Sequence, residues 1–281
     1  MALSSHGRGA RAAQYAGPVT PARSDRDRRR RELSQNYLRS PAAAGTFLRA
    51  VSADPGGLCL EVGAGEGILT GGLAAMFGEL VAYEIDPALA GRLEGRLRST
   101  ANVSVVIGDF LAARPPRQPF QVAGNAPFSL TSPIVDWCLN ARAMTAATLI
   151  TQLEYARKRT GGYGRWSLLT ISTWPELSWE LRGTIPRAQF RPVPRVDAGI
   201  LHIARRRQPL VPQSRLAAYR RAVETGFSGV GGSLLASLRR QYPAARLATA
   251  FRAAGVDRGA VVAFVTPGQW IELFRQLDGI S

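Results

Sequence analysis

The stretch Leu58-Cys59-Leu60-Glu61-Val62-Gly63-Ala64-Gly65-Glu66-Gly67 decides how the chain folds. Its first half is an apolar run that predicts a buried strand. Its glycines predict a tight turn that lets backbone approach a ligand closely. Ile68-Leu69-Thr70 then leads into a predicted helix with apolar positions Leu69, Leu73, Met76 and Phe77. A glycine-rich loop is a weak signal by itself. The next predicted strand, Leu80-Val81-Ala82-Tyr83, strengthens it by ending at Glu84. That is about 20 residues past the loop, the spacing at which a carboxylate meets the two hydroxyls of a ribose. An acid precedes the loop and no Lys-Ser/Thr follows it, so the pattern is not a P-loop. Glu61 and Glu66 are expected to place negative charge where a pyrophosphate would sit, which favours an adenosine-type ligand lacking one.

Working outward, Val103-Ser104-Val105-Val106-Ile107 predicts a third strand ending at Gly108-Asp109-Phe110. Phe120-Gln121-Val122-Ala123 predicts a fourth, entering Gly124-Asn125-Ala126-Pro127-Phe128. In an open parallel sheet the carboxyl ends of the strands line one crevice, and there α/β proteins bind ligands. A single carboxylate at such an end also serves as a helix N-cap, and the Asn125 to Phe128 string alone also suits an Asx-type turn with a core phenylalanine. Four polar strand ends in succession favour a site. The Asn125 side-chain oxygen and the Ala126 carbonyl can both accept from an exocyclic amino group, Pro127 stiffens the loop, and the Phe128 ring can stack on a base.

The chain of 281 residues has room for one large and one smaller domain. Its net charge is +16, and of 36 basic residues only Lys158 is a lysine. An arginine excess of that size suits a polyanion, and nucleic acid fits better than membrane because no long apolar run or amphipathic basic helix occurs. Residues 1–31 hold eight arginines against two aspartates among Gly, Ala, Ser and Pro, and read as a disordered tail that is either a phosphate-gripping arm or a solvated extension. Cys59 and Cys138 lie singly in apolar segments, without metal-ligand spacing, and read as reduced core residues of a cytosolic protein. No secretory signal or transmembrane stretch is expected.

Ser40-Pro41 predicts a helix start, the helix running to about Arg49 before the turn cluster Asp54-Pro55-Gly56-Gly57. Ser132-Pro133 starts another through Leu139, and Ala146 to Ile150 predicts a fifth strand. Arg157, Lys158, Arg159 and Arg165 surround a glycine-flexed segment carrying Tyr163 and Trp166, which reads either as an RNA contact or as a solvated turn with Trp166 in the core. Strands near Leu177 to Ile185 and Val196 to Ala204 are expected to finish the sheet as an antiparallel pair. His6 lies in the tail and His202 in a strand-like run, where it reads as structural, so no general base is evident. Arg205-Arg206-Arg207-Gln208-Pro209 marks an expected boundary. Beyond it, Leu216/Tyr219/Val223, Leu234/Leu235/Leu238 and Trp270/Leu273/Phe274/Leu277 repeat at helical spacing.

Taken together, Ser34-Gln35-Asn36-Tyr37-Leu38, Glu61 to Gly67, Tyr83-Glu84-Ile85-Asp86, Gly108-Asp109-Phe110 and Asn125-Ala126-Pro127-Phe128 resemble the S-adenosylmethionine-dependent class I methyltransferases. With Thr151 to Arg159 and Phe190 to Asp197, they resemble in particular the Erm family of 23S rRNA adenine-N6 methyltransferases, which confer macrolide, lincosamide and streptogramin B resistance. The resemblance covers roughly residues 31 to 275, estimated from the span of these motifs. Ala126 departs from it, since the family more often has a larger apolar residue there.

The resemblance implies an α/β, Rossmann-like class I methyltransferase fold with a seven-stranded, mostly parallel sheet and a small C-terminal all-α domain. It implies an arginine-rich tail over 1–31, a catalytic domain binding S-adenosylmethionine over 32–207 and a helical RNA-binding domain over 208–281. Asn36 and Leu38 would touch the cofactor, Gly63 would admit its methionine moiety, Glu84 would hold its ribose and Asp109 its adenine amino group. Asn125, Ala126, Pro127 and Phe128 would form the catalytic loop, with Asn125 between cofactor and target and Tyr37 either covering the base or simply packing. No metal is expected. The partner would be domain V of 23S rRNA near the peptidyl transferase centre, methylated by a cytoplasmic monomer. Two other readings stay open: the related small-subunit (16S) rRNA adenine dimethyltransferase, and a non-catalytic RNA-binding factor on the same fold.

Overall fold

The computed structural model describes residues 36–280. The arginine-rich tail, His6, Ser34 and Gln35 lie outside the described residues. A short strand β1 (Tyr37–Leu38) leads to helix α1 (Pro41–Ala50), where Ser40 Oγ accepts from the Ala43 N–H at 3.3 Å and Pro41 takes the first turn, as its sequence predicts. The sheet strands follow as β2 (Asp54–Val62), β3 (Phe77–Glu84), β4 (Val103–Ile107), β5 (Phe120–Gly124) and β6 (Met144–Gln152). Helices α2 (Thr70–Met76), α3 (Pro87–Arg96) and α4 (Thr131–Asn140) alternate with them.

Strands β7 (Leu177–Ile185), β8 (Phe190–Arg191) and β9 (Ala198–Arg205) come later in the chain. The order across the seven-stranded sheet is β4-β3-β2-β5-β6-β9-β7, and β1 pairs separately with β8 in antiparallel fashion. Strands β2 to β6 are parallel neighbours, with Leu60 opposite Val81 on one side and Val122 on the other. β9 runs the other way beside β6. Thr148 bonds to His202, Thr151 to Gly199 and Leu153 to Asp197, so partner numbers fall as strand numbers rise. The same sense holds between β7 and β9, where Ser178 meets Ala204 and Glu176 meets Arg206. This is the expected mixed sheet with an antiparallel pair at one edge.

Two local expectations are corrected. The Asp54 to Gly57 cluster belongs to β2, which bulges between Asp54 and Leu58 against β3. Turn-forming residues extend the strand here because glycine allows close approach: a Cβ on Gly78 would lie 2.8 Å from the Pro55 carbonyl. Phe77, expected on the helix after the glycine loop, instead opens β3 and is buried under the sheet.

The chain forms two compact units, and their division differs from the single cut expected after Arg207. Of the described residues, the first unit holds 36–153 with 181–202, and the second holds 154–180 with 203–280. The first unit's core runs from Phe47 and Leu73 through Leu80 to Phe190 and Ile200. The second is built on α5 (Leu153–Thr160, all but its first residue), α6 (Leu168–Thr173), α7 (Leu216–Phe227), α8 (Leu234–Leu238), α9 (Ala244–Ala253) and α10 (Pro267–Asp278). Residues 154–180 join it because Ile171, Trp166 and Trp174 pack with Tyr219, Leu247, Phe251 and Trp270. Each fully buried Leu or Phe there contributes about 1.5–3 kcal/mol, which is why an apolar face outweighs sequence adjacency in deciding the partner.

Candidate active site

The turn after β2 is held by backbone that only glycine adopts readily. Gly63, Gly65 and Gly67 have φ of 68°, 54° and 82°. A Cβ on Gly63 would lie 2.9 Å from the Asn125 carbonyl oxygen, so what this glycine admits in the structure is the loop after β5, whereas the resemblance cast it as admitting a ligand. Gly124, with φ 151°, answers from the other side, its hypothetical Cβ falling 2.3 Å from the Val62 carbonyl oxygen. The two loops therefore abut, backbone to backbone, at the carboxyl ends of adjacent strands.

Around them opens a cavity of about 410 Å³. Its wall brings together Asn36, Leu38, Gly63, Glu84, Asp109, Asn125, Ala126 and Pro127, which the sequence nominates from segments far apart in the chain. Phe128 is the exception. Its half-buried ring stands outside the wall, edge-on to Phe190 at 6.3 Å between centroids. Tyr37 does line the cavity, and its ring lies 3.4 Å from where a Gly65 Cβ would stand, so it covers the glycine turn.

Asn125 is oriented by a contact across 89 residues. Its Nδ2 donates to the Asn36 carbonyl at 2.9 Å, and flipping the amide would set oxygen against oxygen. The other end, Oδ1, is buried and has no hydrogen-bond partner among the described residues. An orphaned buried acceptor costs about 1–3 kcal/mol, so its presence in a cavity wall marks a place where a donor is missing.

Three carboxylates differ in state. Glu84 is buried, its Oε2 accepting from the Gly65 N–H at 2.7 Å and its Oε1 from the Asp86 N–H at 2.9 Å, which ties the β3 end to the glycine turn. Asp109 caps the short turn Phe110–Ala112 by accepting from the Leu111 N–H at 3.1 Å, so the N-cap role is realised at a residue that also faces the cavity. Glu61 is wholly buried, and burial pushes its carboxyl up to about 8; the neighbouring Glu84 charge adds to the rise, while the Thr70 hydroxyl opposes it without forming a complete hydrogen bond. Burial thereby disfavours the negative charge that Glu61 is expected to place beside the loop.

Two arginines in the wall, Arg39 and Arg96, were not legible as site residues, being single cations outside any motif. Both are committed to Glu66, Arg39 to its carboxylate and Arg96 to its backbone oxygen. His202 is buried and bonds Thr148 at 2.9 Å, a structural role as expected. Cys59 and Cys138 are free and buried. Among the described residues no cluster of metal-ligating side chains occurs and no helix is long and apolar enough to cross a membrane.

This geometry can be set beside known proteins. Residues 26–278 match the family model described as ribosomal RNA adenine dimethylase. The chain is 59% identical to an rRNA adenine N-6-methyltransferase of Streptomyces fradiae, over 89% of this chain and 79% of that one. It is 35% identical to the mycinamicin-resistance protein MyrB of Micromonospora griseorubida, over 88% and 78%. The crystal structure of the 23S rRNA methyltransferase ErmE superposes with a TM-score of 0.84 at 47% identity, covering 86% of this chain and all of that one. With a glycine turn, an ordered strand-end carboxylate and an oriented asparagine meeting in one cavity, and with relatives this close, the chain belongs to the ribosomal RNA adenine dimethylase family and, within it, to the Erm-type rRNA methyltransferases.

Proposed function

We propose that the protein transfers a methyl group from S-adenosylmethionine to N6 of one adenine in domain V of 23S rRNA, and so protects the ribosome against macrolides. The observation that carries this reading is the buried, unpaired Oδ1 of Asn125, fixed by the Nδ2 bond to Asn36. The N6 nitrogen is a poor nucleophile because its lone pair is delocalised into the ring. Acceptors at Asn125 Oδ1 and the Ala126 carbonyl would bind the amino group and stabilise the tetrahedral, positively charging nitrogen, a preorganised electrostatic effect. Pro127 holds the loop, and Phe128 would stack on the extruded base after turning from Phe190.

The cavity suits an adenosine-type cation. Arg39 in its wall is paired with the Glu66 carboxylate and Arg96 is held by the Glu66 backbone oxygen, and Glu61 can supply charge opposite a cationic group by giving up its proton. Once bound, S-adenosylmethionine supplies a methyl group activated on a sulfonium. Glu84, with about four lone-pair sites and two of them occupied by backbone N–H groups, keeps acceptor capacity for ribose hydroxyls. Asp109 would accept from the adenine amino group, Asn36 and Leu38 would close the near side, and Gly63 would keep the turn low. Action on rRNA places the protein with ribosomes in the cytoplasm, where we take it to act as a monomer.

The 23S rRNA target named for ErmE supports this assignment over a small-subunit target, and the mycinamicin resistance named for MyrB supports the resistance role. Incubation with labelled S-adenosylmethionine and deproteinised 23S or 16S rRNA, followed by mapping of the methylated base, tests it. Label on one domain V adenine is expected. Label on 16S rRNA would move the assignment to the small-subunit dimethyltransferases, and label on neither would overturn the reading.

A further inference from the structure

We propose that the second unit carries a stacking subsite for one unpaired nucleotide of the RNA substrate, formed by Tyr163 and Phe264 with the arginines that lie on them. The proposal rests on the rRNA reading above and adds a recognition element outside the cofactor cavity.

The last turn of α5 and the segment after it form a held surface. Gly161, with φ 73°, lies directly on the Trp166 indole, where a Cβ would come within 2.5 Å of the ring. Trp166 packs edge-on against Trp174 at 5.7 Å, and its backbone N–H donates to the Ala263 carbonyl at 2.7 Å. Arg159 donates to Ser167 Oγ at 3.1 Å and stacks on Tyr155. Trp166 and Arg159 thus anchor the segment, and the residues between them are presented outward.

With Phe264 and the neighbouring Arg157 and Lys158, this surface offers two aromatic rings, Tyr163 and Phe264, and three cations, Arg157, Lys158 and Arg165. Tyr163 and Phe264 are each 51% exposed, unlike the other large rings of this unit, which are packed. Arg157 lies over the Tyr163 ring at 6.0 Å and Arg165 over the Phe264 ring at 5.2 Å. Beside them opens a cavity of about 580 Å³ lined by Lys158, Tyr163, Arg165, Trp166, Ser167 and Ala263, with no carboxylate in the wall. A half-exposed ring with a guanidinium over it is a platform for a nucleobase, because every base has a π-face. The adjacent cations suit its phosphate. Half-exposed rings interleaved with cations, in a wall without carboxylates, match a base and its phosphate together, which is why we commit to RNA.

The test uses full-length protein and the rRNA fragment that the wild type methylates. Affinity is measured across a salt series for Tyr163→Ala, Phe264→Ala, Tyr163→Phe and Lys158→Ala, with melting temperatures recorded for each. Each alanine at a ring is expected to weaken RNA binding about tenfold, the usual effect of removing a base-stacking aromatic. The slope of log affinity against log salt should stay unchanged, because no charge is removed. Tyr163→Phe should restore wild-type affinity, whereas Lys158→Ala should lower the salt slope by about one ion. Affinity for S-adenosylmethionine should be the same in all four. Wild-type RNA affinity in a folded Tyr163→Ala overturns the subsite while leaving the function standing, and that variant decides the matter even if Phe264→Ala proves unstable. A wild type that methylates no rRNA overturns the function, and the subsite with it.

Discussion

Gly124 shows how much one residue decides here. Its φ of 151° and the 2.3 Å that would separate a Cβ from the Val62 carbonyl leave no room for any other side chain, and through it the loop carrying Asn125 sits against the glycine turn. Gly124→Ala should cost about 1–3 kcal/mol or more in denaturant unfolding, because strain and a backbone clash coincide. Glu61 makes the opposite point. Its folded pKa of about 8 lies above the usual value of 4.5, so the native state holds the proton more tightly than the unfolded chain. The stabilisation is complete below about pH 4.5 and is lost progressively as pH rises from there through about 8, an effect on the order of 5 kcal/mol. Comparing pH-stability profiles of the wild type and Glu61→Gln should show that loss shrink in the variant. Asn125 was legible as a polar residue at a strand end. Its orientation was not, because the bond that sets it comes from Asn36, 89 residues away. Nor was the Glu61 protonation state, which depends on burial that no short motif encodes.

At the scale of elements, apolar runs placed β2 to β6 in order, and Ser40-Pro41 placed the start of α1, because both signals are local. The boundaries that failed involve glycine. Gly57 and Gly78 allow β2 and β3 to extend into what reads as a turn, and Phe77 changes from helix to strand without a change in periodicity that would announce it. The final helix is the opposite case. Thr266 and Gln269 form a reciprocal capping box at the start of α10, and Gly279 ends it with φ 70°. Since α10 buries Trp270, Leu273, Phe274 and Leu277, its start matters to the whole helical unit. Thr266→Ala should lower stability by about 1 kcal/mol, read as a shift in denaturation midpoint without a change in slope.

At the scale of the molecule, composition announced a polyanion partner through a net charge of +16, and helical periodicity announced a second, all-α region. Where that region begins was hidden. Residues 154–180 carry no compositional break, and only the packing of Ile171 and the nearby tryptophans with α7 to α10 shows that they belong with it. The same assignment puts the basic segment around Tyr163 in the helical unit, whereas the cavity lined by Asn125 belongs to the first unit. On the proposed function, RNA recognition draws on one unit and chemistry on the other, with Asn125 acting in the chemistry. Single-turnover methyl transfer to the domain V adenine, measured for wild type and Asn125→Ala with cofactor affinity and melting temperature alongside, tests that claim most directly. A fall of about a hundredfold or more in rate, in a folded variant that still binds S-adenosylmethionine, is predicted from the loss of a preorganised acceptor. Wild-type transfer by Asn125→Ala would contradict it.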